Sequence, residues 1–211
     1  VGPGGFIRTM RTVPMFAEIA AAIRDLSPGA WVINYTNPMS VCVRTLYEVF
    51  PQIKALGCCH EVFGTQELLC AMLEELTGEA GITRQQLYTQ VTSINHFTWI
   101  TAASYRDRDL FPLYAAFAER YFASGYAKGK DHNWMNNSFE SVHRVKFDLF
   151  RRYGFIAAAG DRHLAEFMPP WYLKDPETVK KWKFGLTPVS WRKEDLKKRM
   201  ERSDRLISGE E

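Results

Sequence analysis

WVINYTNPMSVCVRTLYEVFPQIKALGCCH, residues 31–60, carries the reading of the fold. Trp31-Val32-Ile33-Asn34-Tyr35 is short, apolar and β-prone, the pattern of a buried parallel strand. Thr36-Asn37-Pro38 ends it and opens a helix that runs to about Phe50. Ile53-Lys54-Ala55-Leu56-Gly57-Cys58 reads as a second strand. Two strands joined through a helix predict a parallel pair, because parallel strands need a crossover of that length.

Working outward, Phe16, Ile19, Ala20, Ile23 and Leu26 recur at helical spacing before the first strand, and Ser27-Pro28-Gly29 stops that helix. Leu68, Leu69, Met72, Leu73 and Leu76 mark a helix after the second strand, ending at Gly78. The order helix–strand–helix–strand–helix predicts an α/β fold with parallel strands. The pattern changes near residues 85–90. QVTSINHFTWITAASY, residues 90–105, is rich in Thr, Val, Ile and aromatics and reads as strand, with Asn95-His96 inside it. Residues 110–123 and 138–153 read as helices, 124–137 as a polar loop and 154–191 as irregular. A charged amphipathic helix is expected over 192–208.

Composition narrows the class. The chain has 211 residues, 46% hydrophobic and 24% charged, which suits an ordinary globular protein and excludes disordered, collagen-like and disulfide-scaffold classes. No apolar run approaches the ~20 residues that span a bilayer. VGPGGFIRTMR lacks the charged and apolar regions of a signal peptide, so a cytoplasmic protein is expected. Val1 in place of Met is compatible with a processed or excised polypeptide. A net charge of +3 implies no nucleic-acid partner. From Lys174 to Arg205 there are 11 Lys/Arg against 6 Asp/Glu; a solvated face or a docking footprint accounts for that excess. Cysteines 42, 58, 59 and 70 show no CxxC spacing and read as reduced thiols.

In parallel α/β sheets, ligands bind beyond the carboxyl ends of the strands. Asn37 follows the first expected strand and Cys59-His60-Glu61 the second, so the two strands set Asn37, Cys59 and His60 on one rim. His96 joins them if its strand crosses that rim. One thiol and one imidazole are few for a structural zinc site, but suit an open catalytic ion completed by water or substrate. A core cysteine and a hydrogen-bonded strand histidine account for the same two residues. Gly2-Pro3-Gly4-Gly5 offers a weak backbone nest for an anion. Gly160-Asp161-Arg162-His163 reads either as a functional cluster or as a capped surface turn.

VGPGGFIRTMRTVP, WVINYTNPMS, GCCHEVFG, SINHFTW and AAGDRHLAEF, in this order, resemble glycoside hydrolase family 4, the NAD- and manganese-dependent glycosidases. The CHEV form of the cysteine motif most resembles members acting on α-galacturonides. The resemblance covers nearly the whole chain and corresponds to the middle of the family's length. It implies that residues 1–88 form the later part of a Rossmann-like domain of lactate/malate dehydrogenase type, and 89–211 the first part of an α+β catalytic domain. The strand–GxG–helix unit that holds a dinucleotide pyrophosphate is not among these 211 residues, so the chain alone is expected to bind no NAD and to be inactive. A homo-oligomer is expected of the full-length protein.

By resemblance, Cys59 and His96 are the metal ligands, for Mn2+ or another divalent ion. Asn37 lies by the nicotinamide of NAD and the substrate hydroxyls. His60 assists the leaving group and Asp161 acts as base, with Arg8, Asn95, Arg162 and His163 as substrate contacts. The implied mechanism oxidises C3 of the sugar, removes the C2 proton and eliminates the glycosidic oxygen, outside the two-carboxylate scheme of most glycosidases. Single arginines near the motifs, with no compact basic cluster, favour a uronic acid over a sugar phosphate. Two rivals stand beside this reading. One is a 2-hydroxy-acid dehydrogenase of the lactate/malate type. The other is a non-catalytic module that docks a partner through its basic C-terminal helix.

Overall fold

The computed structural model describes residues 2–94, 96–127, 142–184 and 188–209. The chain folds as mixed α/β, with a parallel pair of strands followed by an antiparallel sheet. Helix α1 (Gly2–Leu26) contains Pro14. It begins at Gly2, so residues 2–5 form the first helical turn and not the anion nest that their glycines allow. Strand β1 (Trp31–Asn34), helix α2 (Met39–Val49) and strand β2 (Lys54–Gly57) follow. β1 and β2 pair in parallel with Asn34 opposite Gly57, which sets both carboxyl ends on one rim. Ala20, Leu46, Phe50, Ile53 and Ala55 form the small core beneath them.

Helix α3 (Glu61–Thr77) leads to a second, larger unit. Strand β3 (Leu87–Ile94) pairs antiparallel with β4 (Phe97–Tyr105), while the short β5 (Arg108–Asp109) and β6 (Ile156–Ala157) pair with β4 at its two ends. Helices α4 (Phe111–Tyr121) and α5 (Arg144–Tyr153) pack on this sheet. α6 (Asp161–Phe167), α7 (Pro176–Lys181) and α8 (Val189–Ser208) complete the described chain. Leu68, Leu69, Met72 and Leu73 of α3 share one core with Ile100 and Tyr105 of β4, Tyr114 and Phe117 of α4 and Phe147 of α5. α3 therefore belongs by sequence to the parallel unit and by packing to the antiparallel one.

Two expectations are corrected. The single strand over 90–105 is a hairpin: Ile94 pairs with Phe97, and the chain reverses between them, with His96 in the turn. His96 sits at φ 124°, in the positive region that two-residue hairpin turns demand and that non-glycine residues rarely enter. The alternation is alike on both sides of the turn, so only the Asn-His pair signalled the break. Residues 154–191 are also more ordered than their Pro and Trp content implied, holding β6, α6 and α7. Most of the polar loop expected over 124–137 and the start of the helix expected over 138–153 lie outside the described residues.

Candidate functional site

The β1–β2 register puts the residues after each strand side by side. Cys58 N–H still donates to Asn34 O at 3.0 Å, extending the pairing by one residue before the chain turns into α3. On the β1 side, Asn34 closes a tight turn: its side chain accepts from Thr36 N–H and donates to Thr36 O, both at 3.0 Å. Asn37 then stands exposed on the rim, ahead of a cis bond to Pro38. Cys59 and His60 lie at the entrance to α3, His60 as its cap residue.

The hairpin turn delivers His96 to this rim. Its Nε2 lies 3.3 Å from Cys59 Sγ, and its ring stacks on His163 of α6 with centroids 3.9 Å apart. Burial pushes the Cys59 thiol up. Burial first, and the neighbouring His163 second, push the His96 imidazole down. Both shifts favour the neutral forms, a thiol beside a neutral imidazole. The positive φ of His96 belongs to the class of backbone strain that clusters at functional sites.

A divalent ion bound by a thiolate at ~2.3 Å and an imidazole at ~2.1 Å holds those atoms about 3.1 Å apart at a right angle and about 3.6 Å apart at the tetrahedral angle. The observed 3.3 Å falls between, so the pair fits two ligands of one ion. Among the described residues no group of three or more His, Cys, Asp or Glu side chains could hold a metal. Further ligands would have to come from water or substrate, as in an open catalytic site.

Glu61 binds the N-terminus of α3 to that of α6. Its Oε2 accepts from Gly160 N–H at 2.5 Å, and its Oε1 lies 3.8 Å from His60 and 3.7 Å from His163. One turn along α3, Thr65 donates to Ala158 O at 2.8 Å and accepts from the Lys146 ammonium at 2.6 Å. Lys146 is only 2% exposed. Burial pushes its pKa down, and Asp161 and Glu61 pull it back up. Asp161, 1% exposed, accepts from the N–H groups of Val145 and Lys146 at 2.9 and 3.2 Å. It thereby satisfies the start of α5, whose first-turn N–H groups have no partner inside the helix.

Of the residues singled out from sequence, Cys59, His60, His96 and His163 are brought together, and Asp161 lies under them. Asn37 shares the rim. Arg162 is half-buried on α6, and burial pushes its pKa down. Arg8 is exposed on α1, with its charge acting on Cys42 of α2. Asn95 lies outside the described residues. Sequence reasoning passed over Glu61, Thr65 and Lys146. Glu61 and Thr65 had a signal, since their spacing of four residues puts both on one helix face beside Cys59. Lys146 had none, since it is one of several charged residues, with Arg144 and Asp148, that alternate with apolar ones over 144–149.

Comparison with known proteins gives one consistent outcome. Residues 1–75 match the model of the family 4 glycosyl hydrolases, and residues 91–208 that of the family 4 glycosyl hydrolase C-terminal domain. The chain is 64% identical to an alpha-galacturonidase of Thermoanaerobacterium saccharolyticum over 212 aligned residues, covering all of this chain and 46% of that protein. It is 58% identical to an alpha-galacturonidase of Bacillus subtilis over 207 residues, 98% of this chain and 46% of that one. Among solved structures, the crystal structure of the putative glucosidase lplD from Bacillus subtilis superposes with a TM-score of 0.85 at 57% identity, over 99% of this chain and 47% of its own. A 6-phospho-alpha-glucosidase from gut microorganisms, solved with NAD and glucose-6-phosphate, shares the fold at a TM-score of 0.55 and 16% identity, over 82% of this chain and 36% of its own. The chain thus spans a little under half the length of the curated relatives it matches.

The Thr65–Lys146 contact predicts a specific loss of stability. Thr65→Val keeps the shape but removes the acceptor of a buried ammonium, and is expected to cost about 2–4 kcal/mol. Thr65→Ser keeps the hydroxyl and should retain most of that. Denaturant midpoints of the two variants of the whole protein check it.

Proposed function

Because the chain belongs to family 4 of the glycosyl hydrolases, we propose that the whole protein hydrolyses α-galacturonides, with the rim of β1 and β2 as part of its active site. The observation that carries the proposal is the Cys59–His96 pair at 3.3 Å, formed from residues 37 positions apart within the two motifs that the resemblance assigns to a metal. The 54–64% identity to four alpha-galacturonidases supports the substrate class. The division into residues 1–88 and 89–211, the cytoplasmic location and a homo-oligomeric whole protein are proposed with it.

When bound, NAD supplies a hydride acceptor for the sugar C3 and the divalent ion, Mn2+ by resemblance, supplies Lewis acidity at the neighbouring oxygens. The residues of this chain hold and orient. Cys59 and His96 are the ligands for the ion, and burial favours the neutral imidazole that a metal requires. Asn37, exposed on the rim, is the proposed contact for the nicotinamide end and the sugar hydroxyls. The pyrophosphate needs a glycine-rich turn at a helix N-terminus, which these 211 residues do not include. His60, half-exposed beside Glu61, is the proton donor to the departing oxygen.

Asp161 is proposed for the C2 proton, and the structure gives it a second task. Both of its oxygens accept N–H groups of α5, so the same carboxylate also holds the start of that helix. Asp161→Asn removes the proton acceptor, keeps one oxygen for α5 and withdraws a charge that opposes buried Lys146. The expected result is a lowered thermal midpoint in a protein that still folds, with loss of solvent-deuterium exchange at C2 measured below that midpoint. Undiminished exchange would remove Asp161 from proton transfer.

Two further outcomes test the reading. Cys59→Ser and His96→Ala should each abolish manganese-dependent hydrolysis, while Cys58→Ala, changed one residue before the ligand, stays active; wild-type rates from either of the first two at limiting manganese would refute the metal assignment. Nitrophenyl α-galacturonide should be cleaved at least about tenfold faster than the α-galactoside or its 6-phosphate, the factor that one charge-assisted contact to the carboxylate supplies. Equal kcat/KM for all three would overturn the uronide assignment and leave the family standing.

A further inference from the structure

Glu61 has no task in the proposed chemistry, yet it meets three separate segments of the chain. It stands two residues after Cys59, its Oε2 takes Gly160 N–H at 2.5 Å, and its Oε1 is 3.7 Å from His163. His163 in turn lies flat on His96 at 3.9 Å with an interplanar angle of 30°, and His96 points Nε2 at Cys59. A closed loop of contacts results, from the residue after Cys59-His60, across α6 and the hairpin, back to Cys59. The fit at Gly160 is close: a Cβ there would lie 2.8 Å from Glu61 Oε2. Gly160 has φ −65°, an ordinary value for any residue, so the carboxylate and not the backbone is what calls for glycine.

We propose that Glu61 is a positioning residue for the Cys59–His96 pair. By fixing Gly160 it fixes the first turn of α6, and so holds the His163 ring against His96 with the His96 Nε2 directed at the cysteine. Partners behind a metal ligand orient it in this way in many metal sites, and their loss typically weakens metal binding about 10–100-fold. The inference rests on the metal reading of Cys59 and His96.

Cobalt(II) titration of the metal-depleted whole protein, followed by the thiolate-to-cobalt absorption band, is the test. Glu61→Ala should bind cobalt about 10–100-fold more weakly, with a diminished band. Glu61→Gln keeps an oxygen for Gly160 N–H and should recover most of the loss. Gly160→Ala should behave like Glu61→Ala, because the added methyl displaces only the end of a flexible side chain; circular dichroism should show its fold retained. Wild-type affinity and band in both Glu61→Ala and Gly160→Ala would overturn the positioning role. Cys59→Ser serves as the reference: if it loses the band, a wild-type result for Glu61→Ala counts against Glu61 alone. If it keeps the band, the metal reading fails and this inference with it.

Discussion

Two hydrogen bonds from the first turns of one helix hold this site together. Glu61 takes Gly160 N–H and Thr65 donates to Ala158 O, so the start of α3 is fastened at two points to the segment between β6 and α6. Those partners are 99 and 93 residues away in sequence. Because Cys59 and His60 lead directly into α3 and His163 lies in α6, this fastening brings the rim of the parallel strands to the antiparallel unit. Without it the cysteine and the hairpin histidine would sit on elements with no fixed relation. The apolar packing of α3 against β4 and α4 supplies bulk adhesion, but hydrophobic contact is not directional. The polar pair sets the rotation and height of the helix.

The electrostatics beneath the site follow from one buried cation. An ammonium withdrawn from water is costly unless it is hydrogen-bonded and opposed by charge. Lys146 meets that requirement through the Thr65 hydroxyl and through the carboxylates of Asp161 and Glu61. Asp161, for its part, is stabilised by two N–H groups at the start of α5, where the helix dipole favours a negative charge. Lys146, two acidic side chains and a helix N-terminus thus compensate one another beneath Cys59 and His96, whose charged forms burial disfavours.

The parallel pair contrasts with the second unit. Trp31, Ile33 and Tyr35 alternate along β1 and its extension and are 71%, 59% and 65% exposed, although parallel sheets are ordinarily covered on both faces. The same alternation buries Asn34 and half-buries Val32. The antiparallel sheet, by comparison, has α3, α4 and α5 on its core face, with Ile100 and Ile156 fully buried.

What the sequence determined by itself was everything that local pattern encodes. The run from Trp31 to Asn34, the crossover through α2 and the strand ending at Gly57 were legible because periodicity and turn residues act over a few positions. That alone placed Asn37, Cys59 and His60 on one rim. The five motif strings identified the family, and with it His96 as a partner for Cys59. Tertiary structure alone decided that 90–105 folds back between Ile94 and Phe97, since strands on either side of a tight turn carry the same alternation. It alone showed that Asp161 serves α5 with both oxygens, and that Glu61, Thr65 and Lys146 underpin the cluster. Such roles depend on which distant backbone N–H and C=O groups arrive within 3 Å. No spacing rule in a linear sequence reports that distance, because it is fixed only when α3, β6 and α6 pack together.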